Sequence, residues 1–93
     1  MTQQVLRKTL TTGSYIAFEF PDLGECTSVL VKNFTPGDIL VGTGSVPTDD
    51  ANARLIKSNT AQVCGLSWTK KVPFKGVWVK AASAGDVEVE ASI

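Results

Sequence analysis

The stretch Gly76-Val77-Trp78-Val79-Lys80-Ala81-Ala82-Ser83-Ala84-Gly85-Asp86-Val87-Glu88-Val89-Glu90 alternates with a period of two on both of its arms. Val77, Val79 and Ala81 share one side of the first arm, and Val87, Val89 and Ala91 share one side of the second. Successive side chains of a strand point to opposite faces, so each arm turns an aliphatic stripe toward a core. Between the arms, Ser83-Ala84-Gly85 fits a three-residue hairpin loop whose glycine takes the left-handed position that closes it. That register sets Lys80 opposite Glu88, Trp78 opposite Glu90 and Ala82 opposite Asp86. A cross-strand pair of opposite charge contributes roughly 0.2–1 kcal/mol, which supports the register without imposing it. The stretch predicts a β-hairpin.

The rest of the chain reads in the same way. Gln3 to Thr11 is a first strand with Val5, Leu6 and Leu10 as its apolar residues, and Thr12-Gly13 is a turn signal. Tyr15 to Phe20 is rich in aromatic and β-branched types, with Ile16, Phe18 and Phe20 on one face and expected in the core. Pro21-Asp22-Leu23-Gly24 breaks that strand, because proline and glycine do not support a regular ladder. Thr27 to Phe34 is a strand with a nearly continuous apolar centre, which suggests cover on both faces or a subunit contact. Thr35-Pro36-Gly37-Asp38 is a tight turn leading into Ile39-Leu40-Val41-Gly42, and Val29 to Val41 reads as a second hairpin. Beyond the polar loop 44–52, Arg54 to Lys57 and Ala61 to Trp68 are further strands, and Lys70 to Lys75 is a basic connection.

Roughly eight short strands with turn signals about every 8–12 residues are the spacing of a sandwich or barrel. No helical periodicity of useful length, internal repeat or linker occurs. The expected fold is all-β: residues 1–93 as a single compact β-sandwich domain of about eight short antiparallel strands, with a jelly roll or small barrel as variants.

Composition bounds the function. The chain has 93 residues, enough for one domain, and a chain this short buries only about 60–65% of its unfolded surface, so subunit contacts would help it. With 43% hydrophobic and 19% charged residues it is globular in composition, not disordered. Nine basic and nine acidic residues cancel, which removes the usual electrostatic reason to expect nucleic acid or an anionic membrane as partner. Net neutrality also weakens colloidal repulsion, which suits an assembled protein. No apolar run approaches the roughly 20 residues of a membrane span, and Met1-Thr2-Gln3-Gln4-Val5 lacks the pattern of a signal peptide, so synthesis in a cytoplasm is expected. Cys26 and Cys64 are then expected as reduced, half-buried small hydrophobes.

The chemistry on offer is sparse. Histidine is absent, and with it the commonest general base and zinc ligand. Two isolated cysteines make no metal site. Gly42-Thr43-Gly44 lacks the lysine and serine of a phosphate loop and reads as a turn. Asp86, Glu88 and Glu90 sit about 7 Å apart along one face, too far to share an ion unaided, and read as a solvated face paired partly with Lys80. Asp49-Asp50 lacks the glycine and glutamate of a calcium loop. Accordingly no catalytic residue, cofactor or metal is expected.

Lys70, Lys71, Lys75 and Lys80 are the one basic concentration, too weak a footprint in a neutral domain to indicate nucleic acid. Trp78 points away from Val77 and Val79, so it lies on a wet face, under a loop or in a protein contact, where tryptophan is enriched. Trp78, Phe34, Lys70 and Lys71 are the expected partner-contact residues. With Trp68 and Tyr15, Trp78 is also a candidate stacking platform for a glycan.

Val29-Leu30-Val31-Lys32-Asn33-Phe34-Thr35-Pro36-Gly37-Asp38-Ile39-Leu40-Val41, the Asp49-Asp50 loop, Gly76-Val77-Trp78-Val79-Lys80-Ala81 and Gly85-Asp86-Val87-Glu88-Val89 follow one another in a recognisable series. The series is similar to small β-sandwich virion proteins of tailed bacteriophages, the head-decoration, head-fibre and related accessory class. It covers the C-terminal two thirds of the chain and rests on strand and turn chemistry. The resemblance implies a non-enzymatic structural protein, made in the host cytoplasm and resident in the virion. It also implies self-association and binding to the major capsid protein or another virion component. A head–tail connector or tail component, and a carbohydrate-binding module, are the alternative expectations.

Overall fold

A computed structural model describes residues 3–21, 23, 25–43, 46–68 and 76–92, with 65–68 described by backbone alone. The described residues form eight strands: β1 (Gln3–Leu10), β2 (Ile16–Phe18), β3 (Cys26–Asn33), β4 (Ile39–Thr43), β5 (Arg54–Ile56), β6 (Ala61–Trp68), β7 (Val77–Ala81) and β8 (Gly85–Ser92). One turn of 3₁₀ helix, Asp50–Asn52, interrupts the β4–β5 connection. The strands form two four-stranded sheets, β1-β8-β3-β6 and β2-β7-β4-β5, with every neighbouring pair antiparallel. Of the consecutive strands only β4 and β5 are neighbours. Every other connection crosses from one sheet to the other. This is the strand order of a jelly roll, two interleaved Greek keys packed as a sandwich.

That order overturns the two predicted hairpins. β7 and β8 lie in different sheets, and so do β3 and β4. The pairs Lys80/Glu88, Trp78/Glu90 and Ala82/Asp86 do not form. Lys80 is instead registered with Leu40, and Trp78 stands between Ala17 and Gly42. Glu88 is flanked by Arg7 on β1 and Lys32 on β3. The physical reason is that alternation only says which side chains face the core. A stripe such as Val77, Val79, Ala81 can lie beside its partner in one sheet or face it across the core, and both arrangements bury the same residues. Here they face. All six of these aliphatic residues on β7 and β8 are buried. The carboxylates gain a cation from the neighbouring β3: Lys32 Nζ lies 3.5 Å from Glu88 and 3.6 Å from Glu90.

The core also holds Phe18, Phe20, Val29, Val31, Ile39 and Ile56, all buried, with Ile16 packed against it as its alternation predicted. Leu30, in the middle of the apolar β3, points outward and is half-buried in the row Val5–Glu90–Leu30–Val63. Cys26 and Cys64 are both buried and unbridged, more enclosed than the half-burial expected.

The cross-sheet turns are fixed by a buried polar network. Asn33, at the end of β3, donates from Nδ2 to the carbonyls of Gly37 (2.9 Å) and Ile56 (3.1 Å). Its Oδ1 accepts from the Thr35 amide (2.9 Å) and lies 2.7 Å from the Thr35 hydroxyl. Ser58 donates to the Thr35 carbonyl at 2.5 Å, tying in the β5–β6 turn. The β7–β8 turn closes on the same corner: Phe34 N–H donates to the Asp86 carbonyl and Ala82 N–H to the Asp38 carbonyl. A Cβ at Gly85 would come within 2.9 Å of Thr35 Cα, so only glycine lets the turns approach so closely. A buried polar group left without a partner costs about 1–3 kcal/mol, and here each is matched, which makes the corner rigid.

Candidate functional site

The opposite surface of the second sheet carries a different kind of polar cluster. Its outward residues form two rows across the strands, Ala17–Trp78–Gly42 and Lys80–Leu40–Leu55. Small neighbours on either side leave room for the Trp78 indole, which is half-buried. Leu40 is half-buried and Leu55, on the edge strand β5, is 50% exposed.

The β4–β5 connection returns over this face. Asp49 caps the 3₁₀ turn, its Oδ1 accepting from Ala51 N–H at 3.0 Å. The cap sets Asp50 toward Lys80 and Tyr15. Lys80 Nζ donates to both Asp50 oxygens (3.2 and 3.0 Å), the Tyr15 hydroxyl donates to Oδ1 (3.0 Å), and Lys80 sits 5.5 Å from the Tyr15 ring centre. The Lys80 hydrogen bond, then that of Tyr15, holds the Asp50 carboxyl below its ordinary pKa. Desolvation, then the Asp50 hydrogen bond, raises the Tyr15 phenol. Beside this latch lies a shallow depression of about 310 Å³, with Leu40, Leu55 and Ala82 on its walls and Asp38, Asp50 and Lys80 at its polar positions. A second crevice, of about 360 Å³, opens at the far end of β4 and is lined by Thr43, Thr48, Asn52, Arg54 and Cys64 among others.

The expected contact residues are not gathered into one site. Trp78 is on the outer face of the second sheet. Phe34, 47% exposed, continues the outward register of Leu30 and Lys32 beside the first sheet, with the Arg7 guanidinium 4.8 Å above its ring. Lys70 and Lys71 lie outside the described residues, as does the Trp68 side chain. Trp78 and Tyr15 do share one side of one sheet. The latch itself escaped the sequence reading: its three members are 30 and 35 residues apart, and Lys80 had been matched with Glu88. Asp49 and Asp50, weighed there as calcium ligands, act here as cap and latch. Among the described residues no group of three or more acidic, histidine or cysteine side chains could hold a metal ion.

Among the described residues, three groups are shifted from their ordinary values. Tyr15 is raised, Asp50 lowered, and burial raises the Cys64 thiol despite the nearby Arg54 charge. The arrangement is suited to holding a surface in shape and presenting apolar side chains. No protein-family model matches the chain, and neither does any curated protein with which it was compared.

Proposed function

We propose that this chain is a non-enzymatic structural subunit of a tailed-bacteriophage virion, a capsid-decoration or head-accessory protein that stabilises the particle through protein–protein contacts. The observation that carries the reading is that exposed apolar side chains stand on both outer faces. Val5, Val63 and Phe34 are exposed on the first sheet, and Leu55, with the half-buried Leu40 and Trp78, on the second. Scattered single apolar residues are ordinary on a surface, but a sandwich with such residues on both outer faces can touch two neighbours at once. Bridging neighbours stabilises a shell by mass action. The jelly-roll order is in keeping with this, since viral capsid domains use it, though lectin domains use it too and a fold alone does not assign a role.

The test is co-sedimentation of the purified chain with accessory-free heads of the phage that encodes it. Saturable binding at a fixed copy ratio, with a higher temperature of head disruption, is the expected result. Binding to tails or to the neck alone would move the protein to the connector or tail class. No binding to any virion part would overturn the reading.

A second reading, a carbohydrate-binding module, draws on Tyr15 and Trp78 lying on one side of the second sheet. Against it, the Tyr15 hydroxyl is committed to Asp50 and its ring lies under Lys80. Quenching or enhancement of tryptophan fluorescence by a glycan panel would favour this second reading.

A further inference from the structure

A two-sheet sandwich has two open sides, and each presents the free edges of two strands. Among the described residues one side is bounded by β1 and β2, and the other by β6 and β5. β1 and β6 are eight residues long, and a strand of that length with a free edge is a template for pairing with another chain. Both sides carry the same device.

On β1, the register places Leu6, Lys8 and Leu10 on the inward side, opposite Val89, Val87 and Gly85. A lysine therefore stands between two leucines of the core stripe. Its ammonium donates to the Ala17 carbonyl of β2, in the facing sheet, at 2.7 Å, and lies 5.3 Å from the centre of the buried Phe18 ring. On β5, Arg54 is registered with the buried Val41 and is followed two residues later by the buried Ile56, so it too holds an inward position. Arg54 Nη1 donates to the Val63 carbonyl of β6, again in the facing sheet, at 3.2 Å.

We infer that Lys8 and Arg54 are a matched pair of edge seals, and that they keep β1 and β6 from adding a strand of a second copy of this chain. Each cation sits where an inward aliphatic residue would complete the stripe. Each spans the gap between sheets, and each occupies a main-chain carbonyl of an edge strand. An inward-pointing charge at an edge must be desolvated if another strand pairs alongside, which opposes continuous sheet formation. A chain with no net charge has little long-range repulsion to protect its edges, so local devices of this kind matter more. The inference is independent of the virion reading, because it concerns the edges and not the outer faces.

The experiment compares the full chain with K8M, R54M and the double variant, using K57M as a charge-matched control on an exposed lysine. Sedimentation velocity at matched concentration reads association, and hydrogen exchange reads each edge separately. K8M is expected to slow exchange of the edge amides of β1 alone as it gains a paired strand, and R54M those of β6 alone. The double variant is expected to at least double the weight-average mass relative to the unaltered chain, while K57M leaves it unchanged. K8R and R54K, which keep a cation at each edge, are expected to restore the original mass. Masses and exchange rates equal to those of the unaltered chain in both single variants would overturn the inference. So would exchange rising on both sides together in either single variant, since that is the mark of general destabilisation. If the double variant fails to fold, the single variants decide.

Discussion

The corner at Asn33 and the latch at Asp50 are built from similar polar side chains, yet burial gives them different work. At the corner, Asn33 and Thr35 are almost wholly enclosed, and each of their hydrogen bonds replaces one that water can no longer supply. At the latch, Asp50, Lys80 and Tyr15 stay in contact with solvent, so water competes for every contact. Enclosed polar networks specify a fold because their alternatives are costly, whereas exposed ion pairs contribute little and can open. The jelly-roll crossings therefore depend on the corner. The face carrying Trp78 and Leu55 is the one to which the proposed function assigns a partner.

Removing the centre of the corner should separate the two regions most sharply. Asn33→Ala strips a partner from the Gly37 and Ile56 carbonyls and the Thr35 amide, and at about 1 kcal/mol or more for each it is expected to cost roughly 3 kcal/mol. The midpoint of urea unfolding checks this. Gly85→Ala drives a methyl group toward Thr35 and should cost about 1–3 kcal/mol by the same measurement. On the other side of the comparison, Trp78→Ala is expected to leave cooperative unfolding intact while weakening binding to phage heads; unchanged head binding would remove this face from the contact.

The smallest effect is expected at the latch, and it is best read by titration. Asp50 is depressed, so the latch is complete above the ordinary carboxylate range and opens as pH falls through the lowered value. Tyr15 is the only tyrosine, so tyrosinate absorbance reports it alone, and its midpoint should lie above that of a free phenol. Asp50→Asn should bring the midpoint only part of the way back, because desolvation is the larger cause of the shift.

How much of this was legible in the sequence follows the range of each signal. Alternation is local, and it marked Val77, Val79, Val87, Val89, Phe18 and Phe20 as core residues, as the structure shows. It does not distinguish a neighbour in the same sheet from one across the core, and both hairpins failed on that ambiguity. Asn33 was visible as a strand residue and Thr35 as the start of a turn. That they tie the turn to Ile56 and Ser58, 23 residues from each, was not. The candidate site was half legible: Trp78 was found from its outward phase. Leu55 and the latch are products of tertiary register, and Lys8 looked like one more polar residue until β1 was placed against β8.

The most direct test of the division between a fixed corner and a working face is light scattering on the purified chain across a range of concentration, beside Leu55→Asp. The substitution puts a charge on the exposed outer face and leaves the corner untouched. The expected result is a stable mass that is a small multiple of 9.9 kDa, falling toward the monomer in Leu55→Asp while unfolding stays cooperative. The same multiple in both proteins, or a loss of folding in the variant, would contradict the assignment of this face to assembly.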